Sequence, residues 1–157
     1  MSDAQSNFTP SVASLPTTVL RSYTVKSIPT DVMIQLFADR ISIIVTQMNG
    51  RVGTLLSVSV EDSVIDMSRT YNISTLLGRR DDAMVDVLAR QVAEQIAKLG
   101  GERPGMGGGE GSAVCPPIVL GIALKKEVSK DPSILRAVVG CLVETYQEAV
   151  RLAGGSK

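Results

Sequence analysis

The stretch RISIIVTQMNGRVGTLLSVSV, residues 40–60, decides the fold of this chain. It holds two runs rich in β-forming residues, 41–48 and 53–60, on either side of Asn49-Gly50. Asn and Gly both tolerate the positive φ that a tight primed turn requires. The stretch therefore predicts a β-hairpin with Asn49-Gly50 at its tip. A hairpin of this kind indicates shape and says nothing about function.

Further strands and two helices extend outward from this hairpin. Strand-forming residues occur at 21–28, 32–37 and more weakly at 71–77. Apolar residues then recur every three or four positions over 81–99, which predicts a helix. A strand at 118–124 follows. A second helix at 132–152 has Asp131 as its candidate N-cap.

This order predicts an α+β fold, with a run of strands followed by helix, strand and helix. Sequential hairpins favour an antiparallel β-sheet of about six strands packed with two long α-helices. The chain of 157 residues suggests one domain. We expect that domain to span residues 20–154, after a flexible tail at 1–19, with a Gly-rich loop at 100–116.

Composition argues against several functions. The 16 basic and 16 acidic residues balance, aromatic residues are scarce and histidine is absent. No charge excess favours nucleic acid or an anionic membrane, and His-based catalysis and imidazole metal ligation are excluded. The glycines at 105–111 follow a predicted helix and precede a strand, the reverse of a dinucleotide-binding order. We predict no enzyme activity and no catalytic, cofactor-binding or metal residues.

The second face of the predicted sheet is unusually apolar. One parity of strand residues forms the core, and two helices cover one face of a sheet. The opposite parity carries Met33, Phe37, Ile44, Met48 and Leu55. Because monomers rarely expose large apolar patches, these five residues are candidates for a dimer interface. The alternative is that loops, the N-terminal segment or a helix on each face cover them within the monomer.

Short motifs within these elements resemble those of the proteasome assembly chaperone 3 family. VTQ at 45–47 is followed by GxxGTL at 50–55, Ile28-Pro29-Thr30 precedes a strand, and Leu76-Leu77-Gly78 precedes the first helix. The likeness spans about residues 28–154. The N-terminal tail and the Gly-rich loop are longer than expected of that family.

The resemblance implies a chaperone without enzymatic activity that helps to build the 20S proteasome α-ring. It implies a dimer with a related assembly chaperone, of the proteasome assembly chaperone 4 kind, or with itself, and transient binding of α-type subunits. Asn49, Gly50, Arg51 and Val52, at a loop tip, are then candidates for contacting the client. A solvated tip is the simpler interpretation of Arg51.

Two other functions stay open at this point. One is a dimeric adaptor or scaffold of a GTPase-regulation or trafficking pathway, which would use the same apolar face. The other is a small enzyme or ligand-binding protein, which needs a pocket with convergent polar groups. We expect no nucleic acid, membrane, cofactor or small-molecule substrate as partner. Two cysteines without close spacing, Cys115 and Cys141, suit a reducing compartment, the cytoplasm or the nucleus.

Overall fold

The computed structural model describes residues 15–100 and 115–155. Six strands and two α-helices lie in these ranges, together with a short 3-10 turn at Val128–Lys130. The strands are β1 (Thr17–Val25), β2 (Ile28–Leu36), β3 (Ile41–Thr46), β4 (Thr54–Asp62), β5 (Arg69–Leu77) and β6 (Ile118–Ala123), and the helices are α1 (Ala83–Leu99) and α2 (Pro132–Gly154).

The six strands form one sheet in the order β1-β2-β3-β6-β4-β5. The α+β class is confirmed, as is the order of a strand run followed by helix, strand and helix. The sheet departs from the prediction in one respect. Among the described strands, β3 and β6 pair in parallel, whereas the other neighbours are antiparallel. The sheet is therefore mixed.

The predicted hairpin at Asn49-Gly50 is wrong as a pairing, although its turn is present. Asn49 has φ 51° and Gly50 has φ 76°, and the Arg51 N–H donates to the Met48 carbonyl at 3.2 Å. The two flanking strands do not pair with each other, because β6 lies between them. Five of the six residues of β6 are buried, and a central position satisfies the hydrogen bonds of both its edges. The turn specifies the reversal of the chain and leaves room for a later strand.

Both helices pack on one face of the sheet. A single apolar cluster joins α1 and α2 to side chains of one parity from β1, β2, β3, β4 and β6. Asp131 caps α2 as predicted, accepting from the Ser133 N–H at 2.9 Å. The first helix begins two residues later than predicted, because the Asp82 side chain caps it and accepts from the Met84 N–H. We call this side of the sheet the covered face.

The first two strands begin earlier than the sequence indicated. The first strand starts at Thr17, inside the stretch predicted as a tail, and Val19 is buried opposite Ile34. The second starts at Ile28 and includes Pro29, which is tolerated because the pairing with β3 begins only at Asp31. The remainder of the predicted tail, 1–14, and most of the predicted Gly-rich loop, 101–114, lie outside the described residues.

Candidate protein-interaction surface

The second face of the sheet is open in the described part of the chain, since α1 and α2 both lie on the other side. Its side chains have the parity opposite to the buried cluster. The strand register places one apolar residue, or glycine, from every strand in a continuous line across this open face. In spatial order, this apolar row consists of Leu20, Met33, Ile44, Gly121, Leu55 and Leu77.

Polar side chains dominate the rows on both sides of the apolar row. Towards one end of the strands lie Thr18, Gln35, Ser42, Val119, Ser57 and Ser74, in register from β1 to β5. Towards the other end lie Ser22, Asp31, Thr46 and Ala123. At about 4.8 Å between neighbouring strands, the apolar row is roughly 24 Å long. The open face is thus a narrow apolar stripe between hydroxyl-bearing margins.

The centre of the stripe is more tightly packed than its ends. Leu20 and Leu77, on the two edge strands, are 60% and 65% exposed. In the middle, a Cβ added to Gly121 would lie 2.9 Å from Val52 Cγ1 and 3.4 Å from Ile44 Cγ1. The side chain of Leu55 is also within 4 Å of that point. Residues after the turn and residues of β3 and β4 therefore converge over one glycine.

Three of the five residues predicted for the interface lie in the apolar row, namely Met33, Ile44 and Leu55. Phe37 follows the end of β2 and is half-buried. Met48 follows the end of β3 and borders a cleft beside α1, away from the row. Whether these residues contact a partner stays a prediction.

Sequence reasoning missed the two ends of the row. Leu20 was overlooked because the first strand was expected to start at residue 21. Leu77 was assigned to a strand and to the LLG motif, but its place on the open face was not predicted. A bulge near Leu55 and Leu56 shifts the pairing of β4 with β5, so parity along β5 does not show which face Leu77 lies on. Val19 is buried and Leu20 is exposed, as expected for neighbouring residues of a strand. A predicted first strand that included residues 19 and 20 would therefore have placed Leu20 on the open face.

The VTQ motif fixes the end of the sheet near the turn. Gln47 is buried, and its amide donates to Thr30 Oγ1 at 2.9 Å while its carbonyl oxygen accepts from the Lys125 N–H at 3.1 Å. The Gln47 N–H donates to the Ala123 carbonyl at 2.8 Å. One residue thus ties β3 to β2 and to the segment after β6. The neighbouring Thr46 Oγ1 accepts from the Met48 N–H and supports the turn.

Two motif glycines permit close approach of backbone segments. A Cβ at Gly53 would lie 2.6 Å from the Ile122 carbonyl oxygen. A Cβ at Gly78, which has φ +100°, would lie 2.9 Å from Thr54 Cα. Because the added atoms would meet backbone, any side chain at these positions would push strands apart. The motifs of the family resemblance are therefore structural at these positions, and they hold β6 in place between β3 and β4.

The turn residues predicted to contact a client lie at the end of the sheet. Asn49, Gly50, Arg51 and Val52 are all exposed. Arg51 forms no ion pair with another residue in the described ranges. The structure brings Val52 to the open face, beside Ile44 and Leu55, and leaves the other three at the tip. Their role in client binding stays a prediction.

The β4–β5 loop carries an apolar tip that the sequence analysis did not single out. Val64, Ile65 and Met67 are 96%, 98% and 92% exposed. The Ser63 N–H donates to the Ser68 carbonyl at 2.8 Å and closes the loop. Hydrogen bonds from Ser63 and Ser68 lower the pKa of Asp66 to about 2. The sequence signal for this apolar tip was the V-I-x-M run at 64–67, which lies between two serines.

The described residues offer little that indicates catalysis. Within them, no group of three His, Cys, Asp or Glu side chains is placed to hold a metal ion. Burial, followed by the charge of Glu144, raises the pKa of the Cys141 thiol, which disfavours the reactive thiolate. No helix in the described ranges is both long enough and apolar enough to cross a membrane. The surfaces described above are suited to binding another protein.

Comparison with known proteins agrees with the motif resemblance. Residues 43–108 match the model of a family described as proteasome assembly chaperone 3. No curated protein matches the chain. The fold is similar to a solved structure of a novel chaperone complex for yeast 20S proteasome assembly, with a TM-score of 0.59 and 20% identity. That similarity covers 82% of this chain and 98% of the solved one.

The matched segment contains residues 43–46 of β3, the Asn49-Gly50 turn, β4, β5 and α1. It thus holds three of the six residues of the apolar row and all the motif glycines. The family resemblance seen in the VTQ, GxxGTL and LLG motifs is confirmed. Over residues 43–108, the chain is similar to the proteasome assembly chaperone 3 family.

Proposed function

We propose that this chain is a chaperone for assembly of the 20S proteasome α-ring. In this proposal it acts as a dimer with a related assembly chaperone and transiently binds α-type subunits. The family match and the similarity to a yeast proteasome-assembly chaperone complex support the general role. The apolar row on the open face is the observation that carries the dimer.

The shape of the open face supports the proposed dimer. Stable interfaces bury roughly 800 Å² on each partner, which is more than a stripe one residue wide supplies. The hydroxyl-bearing rows on both sides must therefore enter the interface, where Ser and Thr donate and accept hydrogen bonds across it. Two sheets packed face to face lie about 10 Å apart with strands about 30° from parallel. Their stripes would cross near Gly121, where Ile44 and Leu55 converge.

Client binding is assigned to the end of the sheet. A dimer joined through the open face leaves the exposed tip Asn49, Gly50 and Arg51 at its margin. Arg51 has no ion-pair partner in the described ranges, so its guanidinium is available to a carboxylate of a client. Binding by a few exposed residues at a rim suits a transient complex, because solvated charge contacts contribute little each.

Affinity capture tests the function. Tagged wild-type chain is expressed in its own cells, beside Ile44→Glu and the control Val87→Glu. Val87 is an exposed residue of α1, remote from the open face. We expect wild type and Val87→Glu to recover a related assembly chaperone and α-type subunits, and Ile44→Glu to lose the chaperone.

Recovery of GTPases or coat proteins by all three forms, with no proteasome subunit, would contradict the proposal and favour the adaptor alternative. We further propose that the chain acts in the cytoplasm or nucleus. Imaging of the same tagged chain tests this, and a signal confined to another compartment would contradict it.

A further inference from the structure

A cleft of about 530 Å³ lies at the end of the sheet where both helices begin. Its walls come from the first turns of α1, the start of α2, the segment after β6, and the residues that flank the Asn49-Gly50 turn. It is separate from the apolar row. Seven large apolar side chains of the described residues line it: Met48, Met84, Val85, Leu88, Ile122, Leu124 and Leu135.

The rim of this cleft is basic. Arg79, Lys126 and Lys130 line it, and Asp82 is the acidic side chain among the described residues of its lining. The Asp82 carboxylate accepts from the backbone N–H groups of Met84 and Val85 and is engaged as the cap of α1. Arg79 and Lys130 form no ion pair with other residues of the described ranges. The cleft therefore combines an apolar floor with an excess of positive charge.

The chemistry of the cleft excludes a nucleic acid or a simple phosphate as its best occupant. The described residues that line it include no aromatic ring on which a base could stack. A helix N-terminus binds phosphate through free backbone N–H groups. Here Asp82 caps α1 and Asp131 caps α2, so carboxylates already occupy both helix starts.

The position of the cleft links it to the turn that the sequence analysis singled out. Met48 and Gly53 both line it, and they are the residues immediately before and after the exposed Asn49, Gly50, Arg51 and Val52. A partner on the open face would leave the cleft accessible, since the cleft opens among helix residues on the other side.

We infer that this cleft binds an extended peptide segment in which acidic and apolar side chains alternate. The apolar side chains fill the floor between Met84 and Leu135, and the carboxylates pair with Arg79 and Lys130 at the rim. The inference extends the proposed client binding. It rests on the proposed function only in that the peptide is expected to belong to a client protein. Peptide binding itself is measured without any proteasome subunit.

Fluorescence anisotropy on the full chain tests the chemistry. The probe is a labelled peptide of about ten residues in which Glu alternates with Leu. Comparison peptides carry Lys in place of Glu, or Ser in place of Leu. We expect only the Glu-Leu peptide to bind, with an affinity that falls as salt rises. Absence of binding, or equal binding of the Lys-Leu peptide, would overturn the inference.

Charge reversal at the rim localises the site. Arg79→Glu and Lys130→Glu are each expected to weaken binding about tenfold, because an attractive contact becomes repulsive. Arg80→Glu is the matched control, since Arg80 is exposed and adjacent but does not line the cleft. An equal loss of peptide affinity in Arg79→Glu and Arg80→Glu would show that the effect is one of overall charge. It would contradict the assignment of the peptide to this cleft.

Methionine methyl groups report the location without any substitution. Met48 and Met84 line the cleft, Met33 lies in the apolar row, and Met67 lies in the exposed β4–β5 loop. In a methyl-labelled sample, the peptide is expected to shift the signals of Met48 and Met84 and to leave those of Met33 and Met67 in place. Shifts confined to Met33 or Met67 would overturn the inference. Recovery of a related chaperone by Arg79→Glu in affinity capture, together with loss of peptide binding, separates the cleft from the dimer.

Discussion

The two faces of the sheet differ in how their apolar residues are arranged. On the covered face, successive rows are apolar, and Ile41, Ile43 and Val45 are each fully buried beneath the helices. On the open face, one row is apolar throughout, and the rows on both sides carry mostly Ser, Thr, Gln and Asp, with Val119 and Ala123 as the apolar exceptions. The same strands therefore present a broad apolar surface on one side of the sheet and a narrow apolar stripe on the other.

This difference distinguishes a core from an interaction surface. A continuous apolar surface is stable only when permanently covered, and the chain provides two helices for it. A stripe with hydroxyl-bearing margins is tolerated in water and is still apolar enough to gain free energy on contact with another protein. We attribute folding to the covered face, and the proposed function assigns partner binding to the open face.

Adjacent isoleucines give the largest expected effect. Ile43→Ala should lower the free energy of unfolding by about 2–5 kcal/mol, because it leaves a cavity in the covered core. Ile44→Ala, one residue further on, should cost less than half as much at low protein concentration, where a dimer dissociates. Urea denaturation measures both. Equal losses would mean that the chain itself covers the open face.

Substitution of Gln47 should give the next largest loss of stability, because its side chain joins neighbouring segments at the end of the sheet. Gln47→Ala removes the partners of the Lys125 N–H and Thr30 Oγ1, and should lower the free energy of unfolding by about 1–3 kcal/mol. Gln35→Ala on the open face is the control, since Gln35 makes one long contact, 3.4 Å to Thr18 Oγ1. A loss as large for Gln35 would contradict the structural role given to the VTQ motif.

Alanine at the glycines separates backbone contacts from side-chain contacts. Gly53→Ala meets the Ile122 carbonyl and should lower the free energy of unfolding by about 2 kcal/mol. Gly121→Ala on the open face meets the tip of Val52, which can turn aside, and should cost less than about 1 kcal/mol. Gly140→Ala in α2 meets nothing and should stabilise the chain by about 1 kcal/mol. Thermal unfolding ranks the three, and a reversed order would contradict the packing described.

The smallest effect is a pH dependence at the start of α2. Hydrogen bonds from Ser133, followed by the ammonium of Lys26, lower the pKa of Asp131 to about 2. An ordinary Asp has a pKa of about 3.9, so this contribution to stability is present above pH 4 and is lost as the pH falls towards 2. Asn also caps helices but does not titrate. Wild type should thus lose more stability over that interval than Asp131→Asn, and identical curves would refute this.

The sequence was sufficient to predict those elements that depend on residues close together in the chain. The spacing of Leu88, Val92 and Ile96 identified α1, and Asp131 identified the start of α2. Strand pairing was not accessible, because the turn at Asn49-Gly50 encodes a reversal and cannot show that a strand beginning at Ile118 inserts beside it. Only that insertion aligns Ile44 with Leu55 across Gly121.

The candidate surface was predictable in part for the same reason. Parity alone selected Ile44 and Leu55, because both lie within strands that the sequence predicted. Met48 lies outside the apolar row, because β3 has already ended there and the residue borders a cleft beside α1. The β4–β5 loop was missed because its polar flanks suggested a solvated connection, whereas Val64 and Ile65 point apolar side chains outward.

Sedimentation velocity of the purified chain, alone and mixed with a related assembly chaperone, tests the open face most directly. The account predicts a dimer in at least one of these samples for wild type and for Val87→Glu, and a folded monomer in both for Ile44→Glu. A wild-type chain that stays monomeric in both samples, or an Ile44→Glu variant that still forms the dimer, would contradict it.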